Sequence, residues 1–101
     1  MAGLDLMERI GWREDIARLQ NLTQMERLVC VCVWMEQDDK SIQTTLGLNR
    51  STVHGHVTSI ARKLHKTNRT GIALTFERAL HSAPIKASPW RVGLHRLKVL
   101  A

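Results

Sequence analysis

The chain has 101 residues, enough for one compact domain with short extensions and too few for a large catalytic architecture. Its 15 Lys+Arg stand against 9 Asp+Glu, a formal charge of +6, and that charge is unevenly spread. From Met1 to Asp39 four Arg face eight acids, a net of −4; from Lys40 to Ala101 eleven Lys+Arg face only Glu77, a net of +10. A polyanion would therefore meet the second part of the chain and be repelled by much of the first. The N-terminal residues lack a basic stretch followed by an unbroken apolar run, and no apolar stretch is long enough to span a membrane. A cytoplasmic protein with no membrane partner is the expectation.

In chain order, Leu4 to Leu19 place Met7, Ile10, Ala17 and, offset, Trp12, Ile16 and Leu19 at helical intervals among charges. This predicts an amphipathic helix, weakened in its middle by Gly11. Thr23 and Glu26 then stand at capping-box spacing, with Leu22 placed to staple onto Arg27 or Leu28, so a helix should run to about Glu36. Inside it lie Cys30 and Cys32, the only cysteines; two residues apart in one apolar run, they read as buried free thiols. Asp38 is placed to cap a short helix from Lys40 to Leu46, and Gly47 to end it in a left-handed turn.

Leu48 should face inward and Asn49 should cap a helix from Arg50 to about His65, with Val53, Val57, Ile60, Ala61 and Leu64 on its inner side. After Lys66-Thr67-Asn68, a last helix from Arg69 to His81 should bury Ile72, Ala73, Phe76 and Leu80. Pro84 and Pro89 are expected to bracket a linker. The tail from Trp90 to Ala101 fits a short strand and a helix equally well, and Trp90 reads as a tail anchor or as part of an interface. Trp34 is expected in the core, and Trp12 is expected to seat the leading helix on it.

A short helix, a glycine turn and a longer helix with a polar outer face form the pattern of a helix-turn-helix unit. On the second helix Arg50, Ser51, His54, Gly55, Thr58 and Arg62 fall opposite Val53, Val57 and Ile60. The amides and hydroxyls near Ser51 and Thr52 suit a phosphate oxygen, and Arg62, Lys63, Lys66 and Arg69 follow where a duplex backbone would run. His54, His56 and His65 do not share a helical face as metal ligands would, and Asp38 and Asp39 read as caps rather than paired catalytic carboxylates. Neither an enzyme nor a cofactor or metal site is expected.

Leu22-Thr23, Glu26, Lys40, Ile42, Leu46, Thr52-Val53, His56-Val57, Ile60, Lys63-Leu64 and Asn68-Arg69 resemble, without a gap, the signature of the LuxR/GerE-type DNA-binding domain. The resemblance runs from about Leu22 to Leu80. It implies an all-α, four-helix domain whose third helix reads double-stranded DNA and whose fourth helix forms a dimer contact. Arg50, Ser51, Thr52, His54, Gly55, Thr58 and Arg62 would then touch bases or phosphates, with Thr23, Lys40, Lys63 and Arg69 supporting the backbone contacts.

The sequence departs from the family at Met25 (usually Arg), Glu36 (usually Gly) and Gln43 (usually Ala), and His65-Lys66 replaces the usual Gly-Val. Glu36 is read as a sign of a different turn. Gln43 puts a longer polar group near the crossing of two helices, and His54, Gly55 and Thr58 stand where many members carry long side chains. The expected organisation is an N-terminal amphipathic helix over residues 1–21, the domain over 22–83 and a basic tail over 84–101, with no sensory or receiver domain. The expected activity is that of a homodimeric DNA-binding transcription regulator. The alternative is a protein-interaction module that pairs with a full-length relative, another transcription regulator or RNA polymerase.

Overall fold

Four polar side chains decide where the helices of the domain begin. The computed structural model describes residues 13–80, 82–86 and 90. Residues 13–20 are helical (α1), followed by α2 Gln24–Trp34, α3 Asp39–Leu46, α4 Arg50–Lys63, α5 Arg69–Ala79 and a single turn, α6 Ala83–Lys86. There is no strand among the described residues. Thr23 Oγ1 accepts from the Glu26 amide while the Thr23 amide donates to Glu26 Oε1 at 2.8 Å, closing the predicted capping box. Asp38, Asn49 and Asn68 accept from the amides of Ser41, Thr52 and Gly71 at 2.8, 2.8 and 2.9 Å. Each side chain satisfies a helix-end donor that has no partner within its own helix.

Three helices end alike. The amides of Gln37, Leu48 and Lys66 return to the carbonyls of Cys32, Gln43 and Ala61 at 3.1, 3.0 and 2.8 Å, five residues back. This Schellman closure needs a left-handed residue just before the returning amide. Gly47 supplies it at φ 67° after α3, but Glu36 (φ 62°) and His65 (φ 56°) supply it after α2 and α4. Glu36 therefore does not make a different turn; it holds the glycine conformation despite its side chain. Both of these helices stop earlier than predicted, at Trp34 and Lys63, while α3 starts one residue earlier, at Asp39.

Helix α2 is the centre of the domain and packs on α3, α4 and α5. Its run from Leu28 to Val33 is buried on all sides, as its unbroken apolar sequence requires. Cys30 and Cys32 are free thiols in this interior. Burial pushes the Cys32 thiol up to about 11 and raises that of Cys30 as well, so neither offers a reactive thiolate. Around α2 gather Leu19 from α1, Ile42 from α3, Val53 and Ile60 from α4, Leu64, and Ile72 and Phe76 from α5. Leu46, Leu48, Val57 and Ala61 are partly buried against the same core.

The C-terminal side brings three corrections. Helix α5 ends at Ala79 rather than His81, which lies outside the described residues. It buries Thr75 and Ala79 with Ile72 and Phe76, while Ala73 and Leu80 are only partly covered. The Thr75 hydroxyl enters the core because it donates to the Gly71 carbonyl at 2.8 Å. Finally, Pro84 does not open a linker. It stands in the first turn of α6, where its missing N–H costs no hydrogen bond, and Ile85 beside it is fully buried.

Trp90 is also buried and resolves as an anchor. Its ring lies over Phe76 with centroids 5.2 Å apart, and Phe76 meets Trp34 edge-on at 5.4 Å. The Arg27 guanidinium lies 5.8 Å from the Trp90 centroid, and Trp34 Nε1 donates to Glu77. The rest of the predicted leading helix, with Trp12, and the tail beyond Trp90 lie outside the described residues.

Candidate nucleic-acid interface

Helix α4 owes its position to its apolar side. Val53 and Ile60 are fully buried, Val57 and Ala61 partly so, and Leu64 closes the row at the C-cap. At 100° per residue Ser51, His54, Gly55, Thr58 and Arg62 fall within about 100° of arc on the opposite side. All five are exposed, as is Arg50 at the first turn, so among the described residues nothing covers this polar face. The helix contains no carboxylate. The face therefore carries hydroxyls, an imidazole, bare backbone and the Arg62 guanidinium, with Arg50 exposed beside its start, which suits a groove with anionic walls.

The start of α4 is more self-contained than its sequence suggests. Ser51 Oγ donates to Asn49 Oδ1 at 3.0 Å, and the half-buried Thr52 gives its amide to the same oxygen. Asp39, Asn49, Arg50, Ser51 and His54 line one shallow groove beside the α3–α4 turn. Lys40 is exposed on α3 and lines a second one with Gln37, Asp38, Ser41, Thr44 and Thr45. The Ser41 amide and hydroxyl hold the Asp38 carboxyl below its ordinary range.

The remaining candidate residues serve the fold directly. Lys63 Nζ donates to Glu26 Oε1 at 2.6 Å, and Arg69 Nη1 donates to Asp39 Oδ1 at 2.6 Å. Their charges are locally compensated, and Thr23 is occupied in the capping box. Glu26 is the hub: 3 % exposed, it also accepts from Ser59 Oγ. Burial alone would raise its pKa, but hydrogen bonds from Lys63, Ser59 and the Thr23 amide reverse this and lower it to about 2.

Two features escaped the sequence reading. Ser59 and Lys63 lie 33 and 37 residues from Glu26, and no local spacing announces that cluster. Asp39, whose place in the sequence suggests a cap, contributes a carboxylate to the groove beside Arg50 and His54; its one sequence signal is its place at the start of α3. Among the described residues no three His, Cys, Asp or Glu side chains gather as metal ligands would, and no helix is long and apolar enough to cross a membrane.

No curated protein and no solved structure matches the chain. One family model, described as bacterial regulatory proteins, luxR family, matches residues 20–76, more than half of the sequence. The matched stretch takes in α2, α3 and α4 and most of α5, so it contains both the helix-turn-helix pair and the core that holds it. Such domains bind DNA and regulate transcription. With the matched register and the all-helical fold in agreement, the chain belongs to the luxR family of bacterial regulatory proteins.

Proposed function

We propose that the chain regulates transcription by seating α4 in the major groove of double-stranded DNA, as a homodimer on two half-sites. The observation that carries this reading is the exposed, carboxylate-free face of α4, with Arg62 on it, Arg50 beside its start and the core behind it. Arg50, Ser51, His54, Gly55, Thr58 and Arg62 form the contact face, Thr52 borders it, and Lys40 reaches the neighbouring backbone from α3. Lys63 and Arg69 act mainly by holding α4 to α2 and α5 to α3, because their charges are already paired. In the dimer two copies of α4 would enter successive major grooves, about 34 Å apart.

The test is a shift assay on mixed genomic duplexes over a range of salt. Direct binding weakens steeply with salt, and Arg62→Ala, which removes one phosphate contact from each half of the dimer, reduces the slope of log K against log salt by about 2. An unchanged slope and affinity would remove α4 from the interface. A second reading is favoured by Leu74, which is 50 % exposed on α5: the module pairs with a full-length relative and modulates it. In that case the chain alone binds no duplex at any salt concentration.

A further inference from the structure

Gly55 meets no packing or turn requirement among the described residues. Gly47 is required by its φ of 67°, and a Cβ on Gly71 would lie 3.0 Å from Lys66 Cβ. Gly55 sits inside α4 with an ordinary helical backbone, and a Cβ built there meets nothing within 4 Å. An exposed glycine in a helix interior is less stable than alanine, and no packing or turn within the described fold offsets that loss. The position nevertheless lies in the middle of the face that points away from the core.

We propose that Gly55 lets the backbone of α4 approach the floor of the major groove, so that short side chains read the bases. This rests on the reading of α4 as the DNA-contacting helix. A helix bearing side chains has a radius of about 5–6 Å, but its Cα cylinder only about 2.3 Å, so a glycine opens a notch of about 3 Å. The neighbours one turn away on either side, Ser51 and Thr58, are short, while Arg50 and Arg62 stand about 18 Å apart along the axis. The face is therefore low around Gly55 and tall towards its C-terminal end, where Arg62 lies within about 20° of Gly55, while Arg50 stands beside the helix start about 140° round the axis. In a groove about 8.5 Å deep, that profile brings the Ser51 and Thr58 hydroxyls and the His54 ring to the base edges. The same approach sets the Thr58 methyl against a thymine methyl and leaves the two guanidiniums for the flanking phosphates.

The experiment compares the native chain with Gly55→Ala and Gly55→Gln on two probes: an unselected pool of random duplexes, and the sequence that the native chain enriches from it. Gly55→Ala raises the melting temperature by about 4–8 °C, because alanine is the better helix former in a domain of this size. It nevertheless weakens binding to the enriched sequence about tenfold more than it weakens binding to the unselected pool, and Gly55→Gln widens that ratio further. A Gly55→Ala chain that is more stable and binds the enriched sequence as tightly as the native one overturns the proposal. So does a native chain that enriches no sequence, although binding to the pool would then still uphold DNA binding itself. If the native chain binds neither probe, the reading of α4 fails, and this inference fails with it.

Discussion

Replacing Glu26 by Gln tests the electrostatic centre of the domain. The carboxylate is buried, receives Lys63 Nζ at 2.6 Å and the Thr23 amide at 2.8 Å, and has its pKa lowered from 4.5 to about 2. At 1.36 kcal/mol per unit this shift is worth about 3 kcal/mol. Lys63 is 36 % exposed, so solvent screening reduces the figure to roughly 2 kcal/mol. The folded pKa lies below the unfolded one, so the charged form stabilises the fold. The contribution is complete above about pH 5 and disappears as pH falls towards 2. Glutamine keeps a carbonyl for the Thr23 amide but leaves Lys63 unpaired. Urea unfolding followed by tryptophan fluorescence at pH 7, 5, 4 and 3 should show a gap between native and variant of roughly 2 kcal/mol at pH 7, shrinking steadily below pH 5. A gap that stays constant over this range would refute the argument, since other carboxylates titrate in both chains and cancel.

Further predictions follow from the helix ends and the aromatic anchor. Glu36→Gly and His65→Gly each relieve a left-handed residue, at φ 62° and 56°. The strain relieved is about 1–2 kcal/mol, and the added freedom of the unfolded chain returns about 0.5–1 kcal/mol, so each substitution should stabilise by roughly 0.5–1 kcal/mol. A lower urea midpoint for either variant would contradict this. Trp90→Ala removes the ring stacked on Phe76 and should cost about 3–5 kcal/mol, read as a large drop in melting temperature; an unchanged transition would mean that Trp90 does not anchor the chain. Asp39→Asn removes a carboxylate from the α4 groove and releases Arg69, so affinity for mixed DNA should rise severalfold at low salt. Weaker or unchanged binding would place the duplex elsewhere.

The sequence was most informative where one interaction spans three or four residues. Thr23, Asp38, Asn49 and Asn68 mark helix starts because a cap needs only its own next turn, and the inner row of α4 followed from its period. The polar face of α4 was visible for the same reason. Glu36 and His65 hid their left-handed turns, because neither residue type signals positive φ as Gly47 does. The buried Thr75 was missed because its hydroxyl is satisfied by the chain's own Gly71 carbonyl, which polarity alone does not disclose. The roles of Lys63 and Arg69 depend on partners 37 and 30 residues away, so unpaired surface cations and structural ones looked alike. Pro84 misled in the opposite direction: it breaks helix interiors but fits a first turn, and Ile85 supplies the burial that fixes that turn.

DNA recognition of this kind requires the outer face of α4 to meet a duplex while its inner face stays on the core. Amide chemical shifts of the isotope-labelled chain, followed as a short duplex is added, test this directly. The account predicts the largest changes between Arg50 and Arg62, with small ones on α2 and α5. Changes concentrated on α5 around Leu74, with α4 unmoved, would contradict it.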